Sequence, residues 1–450
     1  MNTSTRFAAV LILFSSTLGS IVASDWPGFR GSRGGVADDK DLPVQWTKDN
    51  VLWKIKLPGA GTSSPITSGD KLILTCNVGY GTTITKGMSG KGGGGGGKGK
   101  GGPDTGDQKK LKLVVVCLDR KTGEILWQKD VEPKLPETPF TGMIREHSYA
   151  SSTPVTDGKN VYAFFGKSGV YAFDLAGKQL WSADVGSKSH MWGSAASPVL
   201  HKDLVIVNAA IESKSLFAFN KNTGKELWKQ TGLGTTWTSP IIVETKDGKQ
   251  ELVLSLPGKV VGYNPETGDE LWNCQGIGGG GGGFGGFGAY TASTPVAKDG
   301  IVYIIGGGGP STPATSLAIK TGGKGDVTKT HLLWKQKAGA SNCSPVLSGD
   351  YLCWVDGLVT CLKTSDGSIV YKERLYGSGK EYVSPVAAGD KIFALTRYDG
   401  LYVIAGGGTF EKLGHFDFKD DTSIFNASPA ISDGRMYLRS NEYLYCVGKK

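Results

Sequence analysis

In "AFNKNTGKELW", Ala218 to Trp228, a small residue inside an apolar run leads into an Asn-x-x-Thr-Gly turn, and a tryptophan follows the glycine by four positions. The same order returns in "CLDRKTGEILW" (Cys117 to Trp127), "AFDLAGKQLW" (Ala172 to Trp181) and "GYNPETGDELW" (Gly262 to Trp272). The turn chemistry has a physical reason. Asp or Asn accepts hydrogen bonds from the amides of its own turn, and glycine takes the left-handed position that a type I turn with a bulge requires. Each copy therefore reads as two short antiparallel strands joined by a tight hairpin.

A second marker lies upstream of each hairpin. A small residue followed by proline occurs at Pro65, Pro154, Pro198, Pro240, Pro295, Pro345, Pro385 and Pro429. A polar turn and an apolar strand follow each one, as in "TSGDK" with "LILTC" and "AAGDK" with "IFALT". The chain thus repeats a four-strand unit eight times, mostly at spacings of roughly 40–55 residues, the range of propeller blades. The fold predicted is all-β: an eight-bladed β-propeller of four-stranded antiparallel blades. Proline cannot donate to a sheet ladder, so it suits the start of an innermost strand, whose free edge faces the central channel. Trp127, Trp181, Trp228 and Trp272 read as apolar plates between neighbouring blades, with Tyr371 in that place in the sixth unit and Trp334 after a longer turn in the fifth.

The last unit runs through "RMYLRS" and "EYLYCVGKK" and ends one strand short. The missing piece stands near the other end of the chain, in "DNVLWKIKLPG", Asp49 to Gly59. The N-terminal strand is expected to complete the eighth blade, close the ring and place Trp53 in the same slot as Trp127 and Trp181.

The repeat "A-x-D-x-x-T-G-x-x-x-W" resembles the pyrroloquinoline-quinone-type propeller repeat, over essentially all of residues 25–450. Two branches share it: quinone-dependent alcohol and sugar dehydrogenases, and BamB-type outer-membrane assembly factors that are not catalytic. "DWPGFRG" (Asp25 to Gly31) and "MWGSAASPVL" (Met191 to Leu200) are most similar to exported BamB-like propeller proteins. The dehydrogenase branch implies a disulfide between adjacent cysteines, a Glu, Asn and Asp set holding calcium, and long loops around the quinone. This chain has no Cys-Cys pair, that calcium set does not map onto it, and its insertions are mostly glycine. The resemblance therefore implies a binding or scaffolding module without a cofactor. A quinone- or metal-dependent oxidoreductase is the alternative reading.

Residues 1–24 read as a cleaved secretory signal: Arg6, an apolar core from Phe7 to Phe14, and small residues at Val22-Ala23-Ser24. No cysteine stands at the cleavage point and no later run is long enough to span a bilayer, so a soluble, exported, monomeric propeller over 25–450 is expected. The formal net charge is +9, but the lysines are scattered over turns, which argues against a nucleic-acid partner. The Gly-rich segments 86–107 and 276–288 have almost no apolar side chains and are expected to be flexible insertions.

Seven cysteines do not form a framework. Cys117, Cys361 and Cys446 occupy the place of Ala172, Ala218, Gly262 and Ala318, as small core residues would. Cys353 and Cys361 flank a hairpin across which they could meet. None of the five histidines has metal-ligand spacing: His331 and His415 fall on outer-strand positions and His201 in a turn. The remaining two lie in loops that lead into blades. Arg145, Glu146 and His147 precede blade two, and His190 and Trp192 precede blade three. With Trp237, Tyr290, Asn342, Tyr382 and Asn426 ahead of later blades, they form a candidate binding face at the channel mouth for an envelope protein or peptide. No catalytic or metal-ligating residues are assigned.

Overall fold

The computed structural model describes residues 25–82, 106–140, 147–278, 290–308, 313–377 and 381–449. Residues 1–24, expected to be a leader, residues 86–105 and 279–288 of the two Gly-rich insertions, and Arg145 and Glu146 lie outside the described residues. The described residues form eight sheets, each built on four antiparallel strands; in seven the four follow chain order from the channel outward, and two sheets carry a short fifth strand paired in parallel. Blade one runs Ile66–Ser68, Lys71–Val78, Lys112–Asp119 and Ile125–Val131. Its pattern returns up to blade seven, Val386–Ala388, Lys391–Leu395, Leu401–Ala405 and Lys412–Phe416.

The eighth blade is Ala430–Ser432, Arg435–Arg439 and Tyr443–Gly448, completed by Val51–Lys56 from the N-terminal side. Val51–Lys56 pairs antiparallel with Tyr443–Gly448 and sets Trp53 opposite Cys446. The ring thus closes as the sequence implies.

One register recurs through the hairpins. Cys117 faces Trp127, Ala172 faces Trp181, Ala218 faces Trp228, Gly262 faces Trp272, Ala318 faces Trp334 and Cys361 faces Tyr371. The small residue leaves room beneath the ring, which is why cysteine alternates there with alanine and glycine. Each indole then lies against the turn of the next blade. Cβ atoms built on Gly123, Gly177, Gly224 and Gly367 would fall 2.5–2.8 Å from Trp53, Trp127, Trp181 and Trp334. The indole N–H groups of Trp127, Trp181, Trp228 and Trp334 donate to backbone carbonyls of that turn, at 2.8–3.1 Å.

Trp272 reaches the boundary of blades four and five by another route. Its N–H donates to the buried Glu251 carboxylate of its own blade at 2.8 Å, and a short strand, Gly325–Asp326, pairs over it. The longer turn of blade five displaces the usual turn carbonyl, and the carboxylate takes its place.

Blade seven has Gly414 where the outer strand would carry a tryptophan. The N-terminal chain crosses there: a Cβ on Gly414 would lie 2.1 Å from the Val44 carbonyl, and Gln45 donates to the Leu413 carbonyl. Trp46, buried and edge-on to Phe393 with centroids 6.4 Å apart, supplies the aromatic plate from outside the blade.

The free cysteines among the described residues are buried, and Cys353 and Cys361 are disulfide-bonded across their hairpin. His201 departs from its expected turn position and closes the inner strand Val199–His201, buried. His415 stacks on Tyr402 at 4.1 Å, and His331 sits in the turn just before the outer strand Leu332–Gln336. No helix among the described residues is long and apolar enough to cross a membrane.

Candidate functional site: the capped channel

The residue just before each blade proline is always serine or threonine. The structure joins these eight into a ring. Ser64 N–H donates to Thr153 Oγ1, Thr153 to Ser197, Ser197 to Ser239 and Ser239 to Thr294. Thr294 continues to Ser344, Ser344 to Ser384, Ser384 to Ser428, and Ser428 returns to Ser64. All eight bonds are 2.9–3.1 Å and buried. Each blade thereby satisfies a backbone donor of its neighbour at the channel edge, where no ladder partner exists.

Extended backbone turns alternate residues to the same side. The residues two positions before the hydroxyl ring therefore form a second tier on the channel wall, and among them are Trp237, Asn342, Tyr382 and Asn426. His147, Trp192 and Tyr290 reach the same cavity from the preceding loops. The cavity they line is about 210 Å³. Of the ten expected mouth residues, seven line this cavity and Arg145 and Glu146 fall outside the described residues. His190 lies behind the wall. Its ring contacts Trp192 and Trp237 at centroid distances of 5.5 and 5.0 Å, and its Nδ1 accepts from the Trp192 N–H at 3.1 Å. Burial lowers the His190 pKa, which favours the neutral ring.

The aromatic wall is held in place from outside. The Trp237 indole donates to the Gly193 carbonyl at 2.8 Å, and Tyr290 stands edge-on to both Trp192 and Trp237. Opposite, the Arg397 guanidinium lies 4.3 Å from the Tyr382 ring centre and donates to Asn426 Oδ1 at 2.8 Å. His147 packs on the same tyrosine at 5.1 Å.

The far side of the cavity is closed by a segment that the repeat pattern does not contain. Trp26 and Pro27 carbonyls accept from Thr67 and Thr156 of blades one and two, and the Gly35 carbonyl accepts from Ala387 of blade seven. Val36–Ala37 then pairs parallel with Ala387 and Ala388. The chain crosses the channel between these anchors, and Phe29 separates the cup from a second cavity beyond it. A run without repeat partners offers no period to read, so this plug was not expected. Its glycines are the available signal: a Cβ on Gly31 would strike the Trp26 ring at 2.8 Å, and one on Gly35 the Arg30 guanidinium at 2.5 Å.

No Asp, Glu, Lys or Arg side chain lines the cup among the described residues. No group of three or more His, Cys, Asp or Glu among them could hold a metal ion. Pyrroloquinoline quinone carries several carboxylates and is held with a divalent cation in the dehydrogenase branch. The neutral donor set of hydroxyls, two amides and one imidazole does not fit that pair.

A closed ring of eight four-stranded blades with this hairpin defines an eight-bladed β-propeller of the pyrroloquinoline-quinone repeat type. The family of the outer membrane protein assembly factor BamB matches residues 112–373, more than half of the chain, and the chain belongs to that family. The structure is similar to BamB from Moraxella catarrhalis, with a TM-score of 0.56 and 13% identity over 89% of this chain and 97% of that one. It is also similar to quinohemoprotein alcohol dehydrogenase from Comamonas testosteroni, with a TM-score of 0.58 and 13% identity over 95% and 81% of the two chains. At such identities the likeness is one of fold. In sequence, the quinoprotein ethanol dehydrogenase of Pseudomonas aeruginosa is 33% identical over 153 residues, 28% of this chain. The match spans only 23% of that relative's length.

Proposed function

We propose that this protein is an exported, non-catalytic binding module of the cell envelope, which engages another envelope protein or a peptide through the cup at its channel mouth. The observation that carries the reading is the cup itself. Seven expected residues converge on one concave, aromatic-walled space lined, among the described residues, by no charged side chain. Concave sites of this composition bind by burying apolar surface, with a few polar groups to orient what enters. Membership of the BamB family supports a role in outer-membrane protein assembly, and the quinoprotein likeness keeps an oxidoreductase as the second reading. The donor set of the cup speaks for the first. The test is affinity capture from envelope extracts with the wild type and with Trp192→Ala/Tyr382→Ala. A partner retained by the wild type and lost by the variant is expected. Capture that ignores the variant, or dye-linked alcohol oxidation after loading with the quinone and calcium, would overturn the proposal.

A further inference from the structure

We propose that the hydroxyl ring at the base of the cup is the seat of a carboxylate, so that the cup takes a singly charged acid carried on an aromatic or aliphatic body. This rests on the cup being the binding surface, and it adds the chemistry of what is bound.

A serine or threonine oxygen has one proton to give and two lone pairs. In the ring, one lone pair of each oxygen takes the neighbouring blade's N–H. No ring hydroxyl donates a hydrogen bond to a described residue. All eight residues line the cup and none is more than 5% exposed. A buried hydroxyl that has accepted but not donated still needs an acceptor. Eight such donors around one axis make a site for an acceptor.

The charge behind the ring gives the acceptor its sign. Arg30 is buried and donates from Nη2 to the carbonyl of Pro385, the residue after ring member Ser384. Its Nε and Nη1 have no partner among the described residues. Arg439, equally buried, donates from Nη1 to the carbonyl and hydroxyl of Ser63, the residue before ring member Ser64, and from Nη2 to Cys76 Sγ. Neither guanidinium has a carboxylate within ion-pair distance among the described residues. Two buried cations thus bond residues adjoining ring members of different blades, Arg30 from the second cavity beyond Phe29 and Arg439 from beside Ser63, and no acid lines the cup among the described residues. A buried charge without a counter-charge is costly, and an anion at the ring offsets it.

The cup selects among anions. Its wall above the ring includes Trp192, Trp237, Tyr290 and Tyr382 and offers no cationic side chain among the described residues. A phosphate or dicarboxylate would leave a second charge against aromatic rings. A single carboxylate spends its charge on the hydroxyls and leaves an apolar body to the wall.

Two sources carry this group: a free organic acid and the end of a peptide. The test uses tryptophan fluorescence and calorimetry on the wild-type protein at neutral pH, with four probes. These are phenylacetate, phenylacetamide, acetyl-alanyl-phenylalanine and its C-terminal amide. Each acid is expected to saturate and to bind at least tenfold more tightly than its amide, and the tighter of the two acids identifies the source. Arg30→Gln should weaken acid binding at least threefold; if that variant does not fold, the acid–amide comparison still decides. Equal binding of acid and amide would overturn the carboxylate seat and leave the cup as a binding surface. Absence of saturable binding by all four would overturn the seat, while capture of a partner through Trp192 and Tyr382 is read independently.

Discussion

Gly224 in the turn of blade three lies directly on the indole of Trp181 in blade two: a Cβ there would fall 2.7 Å from the ring. The same glycine has φ +71°, and its N–H closes the turn onto the Asn220 carbonyl at 2.8 Å. Two independent constraints meet on one residue, the left-handed backbone and the flat plate beneath it. Gly224→Ala must strain the backbone and displace the indole together. A loss of about 2–4 kcal/mol is expected from the two effects. Urea denaturation measures it. A loss below about 1 kcal/mol, the cost of the backbone conformation alone, would mean that the indole moves freely.

Ser197 accepts the Thr153 N–H and donates its own N–H to Ser239, so it sits in the middle of the hydroxyl ring. Ser197→Ala leaves a buried N–H of blade two without an acceptor. The expected cost is about 1–3 kcal/mol, whereas Ser197→Thr, which keeps the oxygen, should cost less. Thermal unfolding of the two variants separates hydrogen bonding from packing, and equal losses would argue that only size matters at this position.

The ring is closed by Val51–Lys56 on one side of the eighth blade and by Trp46 at the seventh. Removing residues 49–59 should expose the edge of Tyr443–Gly448 and empty the slot over Gly123. Lower thermal stability and concentration-dependent association are expected, because an unpaired edge recruits other chains. Trp46→Ala tests the second closure separately. Loss of a buried tryptophan contact costs about 3–5 kcal/mol in a core, and calorimetry of the variant reads it. An unchanged unfolding transition in either protein would refute the closure.

These cases show what was legible and why. Hairpins such as Asn220 to Gly224 repeat within the chain, so each copy confirms the others, and the orphan strand around Trp53 could be matched to the one blade lacking it. The residues before the blade prolines read as small in the sequence, although each is Ser or Thr. Their shared property is a hydroxyl oxygen, and its use shows only when the blades stand side by side. Trp46 over Gly414 joins residues with hundreds of positions between them and no repeat partner to compare. Phe29 and Arg30 belong to the same unrepeated stretch. The sequence places the cup residues at the mouth because proline marks the strand starts. Their convergence depended on the alternation of extended backbone above the ring, and on a plug that no period announces.

Two buried carboxyls give stability a pH dependence. Burial raises the Glu212 pKa to about 7 from an ordinary 4.5, although the Ser194 hydroxyl bonds to it and works in the opposite direction. Glu381 is raised to about 7 for the same reason, against hydrogen bonds from Tyr376 and the Arg397 N–H. In the folded protein these groups hold their protons up to about pH 7, while the unfolded chain has released them above about pH 4.5. The folded state therefore binds more protons in that window, and stability falls as pH rises through it. Below the window the contribution is fully present; above it the contribution is gone, at a cost on the order of 3 kcal/mol for each group. His190 and His201, whose pKa values burial lowers, act in the opposite sense by losing stability as pH falls toward the ordinary imidazole range and below it. The net slope mixes both, so the decisive comparison is the wild type against Glu212→Gln, which stays uncharged beside Ser194. Urea midpoints at pH 5, 6, 7 and 8 should show the variant gaining on the wild type as pH rises, with the gap levelling off above about pH 7. A gap that stays constant across the series would mean that Glu212 is ionised in the fold throughout, and that its burial is compensated by something other than its own proton.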